Sequence, residues 1–164
     1  MEKKSIIPRF VVMESKQLIG HRLRMSVAES KVAELWKSFS PRVKEIQARV
    51  GEDRLSINVY EPDYFIDFQP GKEFDKWAAV EVRDTQMVPA GMEAIELPSG
   101  LYAVFHYIGL STDNSIFHEI YGNLLPSSKY ELDDRPHFEV LGKKYKNNDP
   151  SSEEEIWIPL KNKA

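Results

Sequence analysis

A glutamate and a tryptophan near the C-terminus of the chain occupy positions where a carboxylate can meet aromatic rings. They belong to the segment Glu155-Ile156-Trp157-Ile158-Pro159-Leu160. Because side chains alternate across a β-strand, Glu155 and Trp157 share one face and the aliphatic residues share the other, which we expect to pack on helices. A carboxylate beside aromatic rings suits a cationic ligand, and a partly desolvated one suits general acid–base chemistry. The alternative is that Glu155 is the solvated end of the acidic run Glu153-Glu154-Glu155, and the sequence pattern by itself favours that alternative.

Other residue types that carry chemistry are sparse or badly spaced in this sequence. The absence of cysteine excludes thiol catalysis, disulfides and Cys-ligated zinc. The histidines have no HxH or HExxH spacing, so structural histidines are expected; they are His21, His106, His118 and His137. Neither a glycine-rich phosphate loop nor a Gly-x-Ser-x-Gly motif is present. The sequence therefore predicts no metal and no cofactor.

Composition narrows the classes of partner. The 164 residues include 22 Lys and Arg against 26 Asp and Glu, which gives a net charge of −4. An acidic balance argues against a direct nucleic-acid binder and against a polybasic membrane-surface protein. No apolar run approaches the ~18 residues that a membrane span needs, so a cytoplasmic protein is expected. The length predicts one domain.

The order of predicted elements repeats along the chain. The first half reads as a hairpin over Phe10–Ser26, a helix broken near Pro41, and strands at Leu55–Tyr60 and Phe74–Val82. The helix is predicted to start at a capping box on Ser26. The second half repeats strand, helix and strands; its predicted elements are the strands 92–97 and 101–108, a helix over 116–124, and the strands 137–141 and 155–160.

This repetition indicates a single α+β domain with pseudo-twofold symmetry, made of two strand–helix–strand–strand units at about 5–90 and 91–164. We expect antiparallel sheet and a central cleft between the two units, where ligands favour binding. In the strand 101–108, Phe105 and Tyr107 share one face, and Tyr102 and His106 share the other. The sequence leaves open which of the two faces meets the cleft.

Several short segments, taken together in order and spacing, resemble a known family. They are Tyr60–Pro62, Leu97–Phe105 with Gly109, Asp134–Val140, Asn147–Pro150 and Glu154–Leu160. They resemble GyrI-like small-molecule-binding domains, which serve as effector-binding domains of AraC- and MerR-type transcription regulators and also exist as stand-alone proteins. The resemblance spans essentially the whole chain. It implies a duplicated strand–helix–strand–strand fold around a central cleft.

The resemblance also implies a site. Ligands of the family are hydrophobic and often cationic, and aromatic side chains hold them around one buried glutamate on the last strand, which Glu155 matches. The aromatic candidates rest on strand placement and alternation; they are Tyr60, Trp77, Trp157 and Trp36. The predicted domain fills the chain, so a helix-turn-helix domain and direct contact with nucleic acid are not expected.

Three functions stay open at this point. The leading one is a stand-alone binding protein for a hydrophobic, cationic or amphipathic small molecule. The second is a small-molecule hydrolase that uses Glu155 as its general base. The third is a protein-interaction module, with a transcription regulator or a topoisomerase as its partner.

Overall fold

Antiparallel strands build one continuous sheet in the computed structural model, which describes residues 7–110, 113 and 115–163. Nine strands are described. They are β1 (Arg9–Met13), β2 (Lys16–Ser26), β3 (Arg54–Val59), β4 (Glu73–Val82), β5 (Glu93–Leu97), β6 (Gly100–Ile108), β7 (Tyr130–Leu132), β8 (His137–Leu141) and β9 (Glu153–Asn162). The short strand β7 lies in a polar stretch for which the sequence predicts a loop, and it pairs with β9.

Two helical segments cover one face of the sheet. The first is α1 (Val32–Phe39), which continues as a 3₁₀ turn over Ser40–Glu45, so the predicted break near Pro41 is confirmed. The predicted start at Ser26 is wrong, because Ser26 ends β2. Its hydroxyl accepts a hydrogen bond from the backbone N–H of Glu29 at 3.0 Å, which closes an isolated turn rather than a helix.

The second helical segment spans residues 115–127. It consists of α2 (Ser115–Glu119), a π-helical turn (Ile120–Leu124) and the short α3 (Leu125–Ser127). Pro126 lies in the last of these turns. The described helices do not include any with the length and apolar character of a membrane span.

The strand order shows the internal symmetry directly. It runs β1-β6-β9-β8-β3-β4-β2-β5, with β8 and β3 at the centre. One half contains β2, α1, β3 and β4, and the other contains β6, the second helical segment, β8 and β9. The predicted fold class, duplicated strand–helix–strand–strand units with antiparallel pairing, is confirmed.

The two halves exchange their leading strands. β1 pairs with β6 of the other half, and β5 pairs with β2. The predicted hairpin over Phe10–Ser26 is therefore wrong: β1 and β2 are consecutive in sequence but lie on opposite sides of the sheet. The link between them, Glu14-Ser15, lacks the glycine or asparagine that favours a two-residue hairpin turn.

Both faces of the sheet carry apolar cores. On the helical face, α1 packs through Leu35 and Phe39 over β2 and β4, and the second helical segment packs through Ile116 and Ile120 over β6 and β9. The opposite face holds a third core; its largest members are Leu18, Leu55, Ile57, Trp77, Leu97, Tyr102 and Phe138. The central strands β3 and β8 therefore lie between two helix-covered cores.

Gly20 marks a point where strands β2 and β4 approach too closely for a side chain. A Cβ there would collide with the backbone of Ala78 and Ala79. We expect Gly20→Ala to lower the free energy of unfolding by about 1–3 kcal/mol, because a packed backbone cannot yield as a flexible side chain does. The matched control is Gly71→Ala, where no atom lies within 4 Å. Urea denaturation curves measure both variants, and a wild-type midpoint for Gly20→Ala would contradict the close approach.

Candidate functional site

Two glutamates meet on the helical face of the central strands. Glu154 lies on β9 and Glu139 on the neighbouring β8, where it stands opposite Ile156. Directly opposed residues share a face, so both carboxyl groups point to the side on which Ile156 packs under the second helical segment. Their side chains are joined by a hydrogen bond. Glu154 is only 7% exposed, and its Oε2 atom is buried without a hydrogen-bond partner.

This carboxyl pair holds a proton at neutral pH. Burial is the main cause that raises the pKa of Glu154 to about 9, and the charge and hydrogen bond of Glu139 add to it. Two carboxylates that share a site do not ionise together, since the second negative charge is repelled by the first. Lys76 acts in the other direction and lowers the pKa of Glu154.

Lys76 brings a cation to the same face. It lies on β4 opposite Asn58 of β3, and Asn58 in turn stands opposite His137 of β8. The lysine is buried, and burial lowers the pKa of its ammonium group, while the charges of Glu139 and Glu154 raise it. Because buried lysines are rare unless paired, the three ionisable side chains form one electrostatic unit.

Aromatic rings line the same helix-covered face as the acidic pair. Tyr60 stacks on Tyr64 with a centroid distance of 4.3 Å, and Phe65 lies 5.2 Å from Tyr121 of the second helical segment. Tyr107 stands opposite Glu154 in the β6–β9 pairing. We call Tyr60, Tyr64, Phe65, Tyr107 and Tyr121 the aromatic wall.

Three tyrosines of the aromatic wall sense the charge of Glu139. Burial is the main cause that raises the pKa of Tyr60, Tyr121 and Tyr107, and Glu139 contributes to each shift. The three hydroxyl groups are therefore neutral, and the rings present π-faces near the carboxyl pair. Electron-rich faces beside a carboxylate are the elements of a cation-binding site.

His137 and Asn58 hold the aromatic wall in place. The His137 Nδ1 atom and the Tyr121 hydroxyl share a hydrogen bond of 3.0 Å, and Asn58 Nδ2 donates to the Tyr60 hydroxyl at 2.7 Å. Burial first, and then the charge of Arg135, lowers the pKa of His137 to about 3. The imidazole is thus neutral and acts as a hydrogen-bonding support rather than as a proton switch near pH 7.

A depression of about 190 Å³ lies outside the aromatic wall and shares Tyr60, Phe65 and His137 with it. Phe65 is 39% exposed there, so its ring separates the interior from solvent. A larger depression of about 340 Å³ is lined by charged groups of both signs, including Lys143, Glu153 and Glu154, and by no Phe, Tyr or Trp. The smaller one is better suited to guide a hydrophobic ligand inward, because it leads to rings.

Comparison with known families decides what kind of domain this is. Residues 9–160 match the family model Cass2, described as integron-associated effector binding protein. The chain belongs to this family. The resemblance to GyrI-like small-molecule-binding domains is thereby confirmed.

Relatives of this effector-binding domain include a curated regulator and several solved structures. The transcriptional regulator BrlR of Pseudomonas aeruginosa is 27% identical over 154 residues, which cover 93% of this chain and 54% of BrlR. The chain therefore spans about half the length of that relative. A structure of SAV2435 bound to tetraphenylphosphonium aligns with a TM-score of 0.70 and 20% identity, covering 94% of each chain.

Two further structures share the fold of the effector-binding domain. An integron cassette protein of Vibrio cholerae aligns with a TM-score of 0.65 and 16% identity over 94% of this chain and 95% of its own. The C-terminal domain of EcmrR aligns with a TM-score of 0.71 and 12% identity over 96% and 99%.

The buried glutamate of this effector-binding domain is not the residue that the sequence analysis chose. Glu155 lies on the opposite face of β9, about one-third exposed, and its Oε2 atom accepts from Arg9 Nη2 at 2.6 Å. Trp157 Nε1 donates to its Oε1 atom at 3.3 Å. The expectation of a buried Glu155 is therefore wrong, and the buried residue is Glu154. Alternation already placed Glu154 with Ile156, on the face expected to pack on helices. That placement was the sequence signal that Glu154 is the buried glutamate.

The five side chains predicted to bind ligand are divided between the two faces. Tyr60 belongs to the aromatic wall, and Trp36 of α1 packs into the same helix-covered core. Trp77 and Trp157 lie on the opposite face with Glu155; Trp77 is buried, and Trp157 stacks on Phe138 at 5.2 Å. The structure does not bring the five together, and a ligand role for each stays a prediction.

The sequence analysis missed Glu139, Lys76 and Tyr121 as site residues because no motif assigns them a role. The pairing of β4, β3, β8 and β9 brings Lys76 and Glu139 toward Glu154, and Tyr121 reaches this face from the second helical segment. The sequence analysis also left open the face of β6, and the structure turns Phe105 and Tyr107 toward the second helical segment. Among the described residues, no three His, Cys, Asp or Glu side chains converge as metal ligands would.

Proposed function

We propose that this effector-binding domain binds a hydrophobic cation at the Glu139–Glu154 pair, beneath the aromatic wall. One observation carries the proposal: Glu154 is buried, and its Oε2 atom has no hydrogen-bond partner. Leaving a buried polar group unsatisfied costs about 1–3 kcal/mol. A bound cation recovers part of that cost, so the site gains more from a cation than from a neutral compound.

The aromatic wall supplies the apolar contact that such a ligand needs. A cation over a tyrosine face gains about 0.5–2 kcal/mol, depending on how far it is desolvated. The similar fold of SAV2435, whose structure contains tetraphenylphosphonium, supports this choice of ligand class. Phe65 is the ring that must move to admit the ligand, since it is both exposed and in contact with Tyr121.

A set of phenyl-substituted ligands of different charge tests the proposal. Tetraphenylphosphonium and tetraphenylborate differ in the sign of the charge, and triphenylphosphine oxide is a neutral relative. We expect the cation alone to raise the melting temperature. Saturation at a hundredfold excess over Kd stabilises the fold by about 2.7 kcal/mol, which shifts Tm by several degrees. An equal shift with tetraphenylborate, or no shift with the cation, would contradict the proposal.

The relatives support a regulatory setting. We infer that ligand binding in this domain is a signal to a protein partner, as the match to about half of a transcriptional regulator suggests. Capture of a partner by the immobilised protein, with and without tetraphenylphosphonium, measures whether the ligand changes that interaction. Capture that is identical in both conditions would favour a ligand-independent interaction module instead.

The carboxyl pair favours one second candidate, hydrolysis of a reactive small molecule. A protonated Glu154 beside Glu139 has the arrangement of a general acid with its base. Mass spectrometry of each panel compound after incubation with the protein detects turnover. Turnover that is lost in Glu154→Gln while binding remains would favour the hydrolase over the binding protein.

A further inference from the structure

Lys76 is a buried cation inside a site proposed to bind cations. Only 9% of the residue is exposed, and in the sheet it stands opposite Leu23 of β2 and Asn58 of β3. Its ammonium group interacts electrostatically with both Glu139 and Glu154. A purely apolar residue would fill this position at lower desolvation cost, so the charge itself calls for an explanation.

The charges that face Glu154 explain why position 76 carries a lysine. β8 contributes Glu139, β4 contributes Lys76, and the tyrosines of β6 and the second helical segment are neutral. Glu154 also lines the depression of about 340 Å³, where Asp53 and Glu153 face Lys143 and Lys144, and where Glu155 is paired with Arg9. With one proton shared by the two carboxyl groups, the pair carries one negative charge and Lys76 balances it. The ligand-free site is therefore neutral.

A neutral site does not attract a permanent cation unless another positive charge leaves. The ammonium is tethered to β4, whereas the shared proton is free to go to solvent. We propose that Lys76 is an internal counter-ion, so that binding of a permanent cation expels the proton that Glu139 and Glu154 share. This inference rests on the proposed function. It adds that the site selects a ligand with a permanent positive charge.

Proton expulsion predicts a specific pH dependence. Glu154 is protonated in the free protein below pH 9 and ionised in the complex, so raising the pH favours the complex. The affinity for tetraphenylphosphonium is expected to rise about tenfold per pH unit between pH 6.5 and 8.5 and to level off above the pKa. The ligand itself has no titratable group, so the dependence belongs to the protein.

Isothermal titration calorimetry measures the proton directly. The heat of binding tetraphenylphosphonium at pH 7.5 is measured in phosphate and in Tris. The two heats should differ by the difference between the ionisation enthalpies of the two buffers, for about one proton released per ligand bound. In Lys76→Met the pair keeps its proton and its negative charge without a counter-ion. That variant is expected to bind about tenfold more tightly at pH 7 and to release almost no proton. Lys76→Arg keeps the charge, so its binding should stay pH dependent and should still release about one proton.

Each outcome separates the two proposals. Absence of binding in the wild type and in Lys76→Met overturns the proposed function, and this inference with it. Binding that is independent of pH and buffer overturns this inference alone, as does unchanged or weaker binding by Lys76→Met. Melting curves establish that each variant is folded, and Lys76→Gln serves in its place if Lys76→Met is not.

Discussion

Replacing Glu154 by glutamine is expected to lower the affinity for tetraphenylphosphonium about a hundredfold, whereas Glu155→Gln is expected to stay within about twofold of the wild type. Removing one charge from a buried ionic contact costs about 2–5 kcal/mol, which sets the first figure. Glu155 lies on the opposite face of β9 in a partly exposed ion pair with Arg9, and such pairs contribute little. The two substitutions are adjacent and chemically identical. A difference between them therefore reports which face of β9 contacts the ligand.

Calorimetric titration of both variants at pH 8 measures this difference. Glutamine has the shape and hydrogen-bonding capacity of a protonated glutamate, so Glu154→Gln is expected to fold as the wild type does at neutral pH. The reverse result, with Glu155→Gln losing the ligand, would restore the site to the face that carries Trp77 and Trp157.

Glu154→Gln also changes how stability depends on pH. The folded-state pKa of Glu154 is about 9, above the ordinary value of 4.5, so the folded protein binds more protons than the unfolded chain between those limits. Stability from this group is full below pH 4.5 and is lost as the pH rises toward 9. Relative to the variant, the wild type is expected to lose up to about 1.4 kcal/mol of unfolding free energy per pH unit in that window.

Urea denaturation of both proteins at pH 6, 7 and 8 measures this difference. His137 does not disturb the comparison, because both proteins contain it. Its pKa is lowered to about 3, so the stability that it contributes is lost only as the pH falls below its ordinary value of 6.5. Parallel curves for the two proteins would mean that Glu154 is ionised in the folded state, and would remove the basis for the proton release.

The local pattern was enough to locate most elements. The strand at residues 137–141 agrees with β8 at both ends, and the break near Pro41 follows from the fixed φ of proline. Repetition of the strand–helix–strand–strand order indicated the symmetric fold. The repetition could be recognised because each of its elements is predicted from a short stretch of sequence. The exchange of β1 and β5 between the halves was not visible, since the paired residues are 87 to 95 positions apart for β1 with β6 and 73 to 81 positions apart for β2 with β5.

The sequence by itself determined the fold class, the family and the alternation of β9, including the fact that Glu154 and Glu155 face opposite ways. Only the tertiary structure decided which face holds the buried carboxyl pair. That face is defined by two helical segments that cover the outer parts of the sheet and leave β3 and β8 between them. It brings Lys76, Glu139 and Glu154 from three strands into one low-dielectric environment, where their charges act on one another. Such coupling depends on burial and distance, and neither is written in the spacing of residues along a chain.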